Sequence, residues 1–278
     1  MTREPTAVVL LYHRIADVDL DPFSLCVPPT EFRRQMTWIK NECHPVSLDT
    51  LVDGILRGSP MDRAVAITFD DGYLDNLTEA SPILLELGLP ATFFVTTERF
   101  THAREYWWDA LIRTECSQDE LKELQRRVMN SPAGDRDLIL AERLGTAEPC
   151  PRSDVRPMTA REVAELASRP QHAVGAHTVN HLLLPIQTPS VCQFEMVNCK
   201  NELESLLSVA VRAVAYPFGG FSTEVCRLAS EAGFTTGLGT VSEPVRAGSD
   251  VMALPRWHVA PGPEGFPRRV NRILKLGT

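Results

Sequence analysis

No apolar run in the 278-residue chain approaches the length of a membrane span, which excludes a transmembrane helix. A signal-peptide core is missing too. The run Ala7 to Leu11 is too short, and Tyr12-His13-Arg14 cuts it off, so the expectation is a cytoplasmic protein. None of the seven cysteines (Cys26, Cys43, Cys116, Cys150, Cys192, Cys199 and Cys226) forms a C-x-x-C pair. That spacing speaks against zinc knuckles and fits free thiols in a reducing compartment. A basic excess is absent: 28 Lys and Arg against 36 Asp and Glu give a net charge of -8. Such a field repels phosphate backbones, so no nucleic acid is expected as a partner. Lysine is confined to positions 40, 122, 200 and 275, a bias toward arginine from which no function follows. There is no internal repeat, low-complexity segment or domain linker. What remains is ordinary globular composition, 44% apolar and 23% charged. The reading is a single domain over 1–278.

Short β-rich runs alternate with helical patterns. Ala7–Tyr12, Ala64–Phe69, Ala91–Thr96, Ala173–Ala176, Val211–Tyr216 and Thr235–Leu238 read as strands. Helices are expected from Thr30 as N-cap, from Ser47, over Asn76–Leu87, from the capping box Thr159-x-x-Glu162, and over Pro189–Leu207 and Thr223–Ala232. This order implies an α/β fold with a mostly parallel sheet and helices outside. Polar residues then gather at the C-terminal ends of strands, where such folds carry their sites. Residues 99–157 break the rhythm and read as a helical insertion over the barrel mouth. It opens with Tyr106-Trp107-Trp108-Asp109. These rings either anchor the insertion or form a platform for stacking on a sugar.

Three strand ends carry chemistry. Asp70 and Asp71, in Thr68-Phe69-Asp70-Asp71-Gly72, are adjacent carboxylates whose repulsion a cation would relieve. Strand alternation points them in different directions, so they can hold different roles. His177 and His181 are four residues apart and can face one divalent ion if the segment turns helically. Two histidines, one carboxylate and open positions make the donor set of a hydrolytic metal centre. Tyr216-Pro217-Phe218-Gly219-Gly220 is a turn that can aim a backbone N–H at a developing oxyanion. Each motif alone is unremarkable in a surface loop; the combination is specific.

Together the motifs resemble the polysaccharide deacetylase superfamily, the NodB-homology domain of carbohydrate esterase family four. The matching stretches are TFDDG at 68–72, HTVNH at 177–181 and AYPFG at 215–219, flanked by LLYHRI at 10–15 and LPRWHV at 254–259. The resemblance implies a distorted (β/α) barrel and metal-dependent removal of N-acetyl groups from amino sugars, with Zn²⁺ or another divalent transition metal as cofactor. It also implies Asp70 as general base, Asp71, His177 and His181 as metal ligands, and the Phe218 N–H as oxyanion donor. Tyr216, Pro217, Trp107, Trp108 and His258 are then candidates for contacting an N-acetylated amino sugar substrate.

Two departures shape the expectation. Many members carry an arginine in the third motif that orients the catalytic aspartate; here Ala215 occupies that neighbourhood, and Arg256 is the replacement candidate. Many also take their general acid from a C-terminal Leu-x-His, but no histidine follows His258. A circularly permuted branch, typified by deacetylases of partially acetylated poly-N-acetylglucosamine, uses an N-terminal Tyr-His instead. Tyr12-His13 matches it, so His13 is the expected acid and His258 its rival. Alternative readings are a deformylase or cyclic-amide hydrolase acting on a small or lipid-linked intermediate, and a carbohydrate-binding pseudoenzyme.

Overall fold

The structure is a computed structural model, and it describes residues 6–59, 62–98, 100, 105–114, 117–144, 152, 155–259 and 265–275. The apolar runs of the sequence form one parallel sheet of strands β1 (Val8–Tyr12), β2 (His44–Pro45), β3 (Ala64–Phe69), β4 (Ala91–Val95), β5 (His172–Ala176), β6 (Ala213–Ala215), β7 (Thr236–Leu238) and β8 (Trp257–His258). Their order is β7-β6-β5-β4-β3-β1-β8, with the short β2 pairing β3. The sheet curves into a half-barrel with helices around it. A single bridge, Leu238 to Leu254, links β7 to the segment entering β8.

Helices α1 (Pro29–Glu42), α2 (Leu48–Leu56), α3 (Ser81–Leu87), α4 (Trp107–Ile112), α5 (Gln118–Met129), α6 (Ala133–Leu144), α7 (Ala160–Ser168), α8 (Pro189–Leu207), α9 (Thr223–Glu231) and α10 (Phe266–Lys275) complete the chain. The capping box is present: Thr159 Oγ1 accepts from the Glu162 N–H at the start of α7. Thr30 is not the cap of α1. Pro28 precedes the helix and Pro29 opens it, because the fixed φ of proline starts a helix without an N–H to satisfy. The stretch from Asn76 to Leu87 begins with one π-helical turn, Asn76–Ala80, before α3. Gly88 ends α3 at φ 68°, a left-handed C-cap.

Alternation along the strands decides what reaches the barrel interior. In β1, Val8, Leu10 and Tyr12 pack outward in the large core beneath the helices, with Phe32 and Met36 of α1. Val9 belongs to the inner core with Ala66, Phe94, Ala213, Ala215 and Leu238. Phe94 fills the inside so closely that a Cβ on Gly175 would lie 2.4 Å from its ring. Only glycine fits at this position on β5. The insertion rests on a third cluster, made by Tyr73, Tyr106, Trp107, Trp108, Leu111, Leu121 and Val128. Among the described residues no helix is long and apolar enough to cross a membrane.

Candidate metal centre and active site

The same alternation carries His13 beyond β1, Asp70 beyond β3 and His258 at the end of β8 to the interior rim. They line a cavity of about 290 Å³ with Asp71, His177, His181, Trp108 and Phe218. By alternation Asp71 should point away from Asp70. Instead its backbone is left-handed, at φ 71°, and Gly72 follows at φ 69°. These two residues turn the Asp71 side chain back into the cavity. A Cβ on Gly72 would meet the Val95 side chain at 2.7 Å, so this turn requires glycine on steric grounds as well.

The His177–His181 segment is not helical, contrary to the geometry anticipated from its spacing. Thr178 and His181 have φ of 66° and 52°, and the resulting loop brings the two rings together. The centroids lie 4.7 Å apart. Asp71 Oδ1 is 3.4 Å from His177 Nε2 and 3.2 Å from His181 Nε2. One donor atom from each of the three buried residues lies within 4.8 Å of the others.

The chemistry of this cluster fits a cation. His177 Nδ1 is 2.8 Å from the Ala215 carbonyl, which can only accept, so Nδ1 carries the proton. In the neutral ring Nε2 then presents a bare lone pair to the Asp71 carboxylate. A divalent ion would satisfy both, together with His181, and the Ala215 carbonyl is the outer partner that orients the ring. Burial disfavours an ionised Asp71, but the imidazoles of His177 and His181 close against it outweigh that and hold the carboxyl far below its ordinary range. Burial also lowers His177, yet the carboxylates of Asp70 and Asp71 reverse that and raise it. For His181 burial wins, and its pKa falls.

Asp70 stands apart from the cluster, 3.9 Å from His177 Nε2 through Oδ2. Arg256 grips it with both arms, Nη1 to Oδ1 at 2.7 Å and Nη2 to Oδ2 at 2.6 Å. The guanidinium is fully buried, and its Nε donates to the Gly239 carbonyl at 2.8 Å. Burial opposes ionisation of Asp70, but Arg256, aided by His177, prevails and keeps the carboxyl below its usual value. His13 and His258 meet edge to face with centroids 5.1 Å apart. His13 Nδ1 and His258 Nε2 are buried with no hydrogen-bond partner. Burial lowers His13 despite Asp71 and Asp70, and burial with His13 alongside pushes His258 down to about 4.

A match to the family model for polysaccharide deacetylases spans residues 57–237, from the end of α2 into β7. The chain belongs to the polysaccharide deacetylase family. Over 271 residues this family member is 25% identical to YxkH of Bacillus subtilis (strain 168), provisionally named a polysaccharide deacetylase. That likeness covers 95% of this chain and 75% of YxkH. A shorter stretch of 88 residues is 32% identical to the poly-beta-1,6-N-acetyl-D-glucosamine N-deacetylase of Escherichia coli (strain K12), covering 31% of this chain and 13% of that protein. Among solved structures, the Streptococcus pyogenes deacetylase PplD in complex with acetate superposes with a TM-score of 0.71 at 20% identity, covering 98% of this chain and 99% of that one. IcaB from Ammonifex degensii gives 0.69 at 18% identity, with 98% of each chain covered. These two likenesses bear on the fold.

Not every anticipated residue of this deacetylase-family chain faces the cavity. Tyr216 continues the alternation of β6 outward; it is fully buried in the outer core, and its hydroxyl donates to the Met252 carbonyl at 2.9 Å. Pro217 is buried at the start of the following turn and does not line the cavity. Phe218 does, and its ring stands edge-on to His181 at 4.5 Å. Trp107 faces a small crevice beside the cavity, with Val128, Leu182 and Leu183, and His181 and Phe218 border both. Trp108 lines the main cavity, 4.8 Å from the His181 ring, and is also an anchor. Its Nε1 donates to Tyr73 Oη at 2.7 Å, and Tyr73 donates to Asp109 Oδ2 at 2.7 Å. Burial pushes the Asp109 carboxyl up to about 7. Phe23, Leu25, Gln125 and Thr240 also line the cavity and carry no signal in the sequence. Three lie on loops and Gln125 at a half-buried position of α5, with no motif to mark them.

Proposed function

We propose that this protein is a metal-dependent N-deacetylase acting on an amino sugar. The observation that carries the reading is the buried Asp71–His177–His181 donor set beside a carboxylate, Asp70, that Arg256 keeps ionised. A divalent ion held by those three residues would supply Lewis acidity, polarising the amide carbonyl and lowering the pKa of water. Asp70 accepts the proton of the attacking water. The Phe218 N–H, in a left-handed turn at φ 57°, donates to the oxygen on which negative charge develops. His13 delivers a proton to the departing amine, with His258 packed against it. The amine is a poor leaving group until protonated, so this last transfer completes C–N cleavage.

The cavity also has an apolar wall formed by Leu11, Phe23, Leu25, Trp108 and Phe218. That wall favours, as a second reading, hydrolysis of a small or lipid-linked conjugate, including loss of formate in place of acetate. The test is a substrate panel of N-acetylated and N-formylated amino sugars, free and conjugated, with acetate and formate measured separately. Acetate release that stops on chelation and returns with a divalent ion is expected. Full activity in the presence of chelator, or in the His177→Ala variant, overturns the proposal. Binding of the sugars with no acid released points to the pseudoenzyme reading.

A further inference from the structure

The insertion reaches the metal centre through a residue outside the sequence motifs. Tyr106, immediately before α4, is buried, and its hydroxyl donates to the backbone carbonyl of Asp71. A phenol has one proton, and a carbonyl only accepts. Thr96 Oγ1, at 2.8 Å from Tyr106 Oη, is therefore the donor of the next bond. The result is a directed chain from Thr96 at the end of β4, through Tyr106, to the Asp71 carbonyl. The ring of Tyr106 stacks on Trp108 with centroids 4.3 Å apart and planes 6° from parallel, and Trp108 in turn packs 4.8 Å from His181.

We propose that Tyr106 is a positioning residue for the metal centre, holding the left-handed Asp71 peptide so that its carboxylate meets His177 and His181. The proposal rests on the metal-site reading above. Asp71 occupies a backbone region that residues with a Cβ rarely adopt, and such conformations persist only when their surroundings over-determine them. A buried carbonyl without a partner is costly, so the peptide orientation that meets Tyr106 is favoured over its alternatives. The side-chain direction of Asp71 follows from that orientation. Tyr106 thus acts on the ligand through its backbone, while Trp108, stacked on its ring, packs against His181. The insertion accordingly supports the donor set itself, beyond any contact with substrate.

The test uses the metal-loaded full chain titrated with a chromophoric chelator at 25 °C, for the wild type, Tyr106→Phe and Thr96→Val. Tyr106→Phe keeps the stacked ring and removes only the hydroxyl. Its affinity for Zn²⁺ should fall by about 10–100-fold, the usual effect of losing an outer partner of a metal ligand. Thr96→Val should fall in the same direction by less. With Co²⁺ in place of Zn²⁺, the visible absorption bands of Tyr106→Phe should shift, a change that a general loss of stability would not produce in a folded protein. Circular dichroism establishes folding. Unchanged affinity and an unchanged Co²⁺ spectrum in folded Tyr106→Phe overturn the proposal. If that variant does not fold, unchanged affinity in Thr96→Val overturns it instead. A wild type that binds neither ion removes the metal-site reading, and this proposal with it. Weakened binding in the variants beside tight binding in the wild type supports both.

Discussion

Arg256 and Asp70 are 186 residues apart in the chain and form a bidentate ion pair inside the barrel mouth, with the guanidinium fully excluded from solvent. A buried charge left without its partner typically costs about 3–5 kcal/mol. The pair therefore joins the closing segment of the half-barrel to the base proposed for the chemistry.

Arg256→Lys should retain a charge but lose the fork that binds both oxygens. Asp70 is held below its ordinary pKa in the folded protein. The stability it contributes is present above the unfolded-state value and is lost as pH falls through the folded one. Weakening the pair raises the folded value. The acidic limb of the kcat/KM profile should move to higher pH, and acid unfolding should begin at higher pH. A pH–rate profile and an acid-unfolding curve check both; an unmoved acidic limb would show that Arg256 does not tune the base.

Asp70→Asn and Asp71→Ala should separate neighbouring residues by role. The first should keep the divalent ion and lose about 10²–10⁴-fold in turnover, the usual range for a lost general base. The second should lose the ion. Metal analysis of the purified variants beside their kcat values decides, and near-normal turnover in Asp70→Asn refutes its role.

His13→Ala should retain metal and bind substrate yet turn over slowly, with a flattened basic limb. The loss should shrink for an activated ester, whose leaving group needs little proton assistance. His258→Ala is the matched comparison, because the two rings are in contact and both line the cavity. If His258→Ala alone shows this signature, the proton donor is His258.

Asp109 offers a test of the insertion's seat. Its folded pKa is raised to about 7 by burial. The folded protein then holds a proton that the unfolded chain releases, so stability falls as pH rises between the two values and levels off above about 7. Asp109→Asn cannot ionise and still accepts from Tyr73. Relative to wild type it should gain on the order of 1–3 kcal/mol at pH 8 compared with pH 5. Denaturant unfolding at the two pH values measures this, and an equal difference at both would refute the assignment.

Much of the architecture was legible in the chain itself, because hydrophobic period and capping chemistry are local. Helix α8 has the bounds its pattern implies, Pro189–Leu207, and the Thr159–Glu162 capping box opens α7. The strand ends carrying Asp70 and His177 were visible because polar residues interrupt apolar runs there, and the one carrying Phe218 because Pro217 and Gly219 mark a turn. The alternation that places Arg256 and His258 on one face is equally local.

Other features depend on contacts between distant segments. The left-handed backbone at Asp71, Thr178 and His181 brings three donors together, where the spacing of the histidines allowed convergence only through a helical turn. Tyr216 belongs to a recognisable motif, but it packs in the outer core, where the Met252 carbonyl from a distant segment accepts from its hydroxyl. Trp107 and Trp108 are adjacent in the chain, yet packing sends one to a side crevice and the other into the main cavity. The amino-acid order by itself determined the strands, the helices and the kinds of donor at their ends, since those follow from periodicity and side-chain chemistry. Only the tertiary structure decided which donors converge, which charges are buried together and that Tyr106 meets Asp71, because burial and backbone strain arise only once distant segments pack.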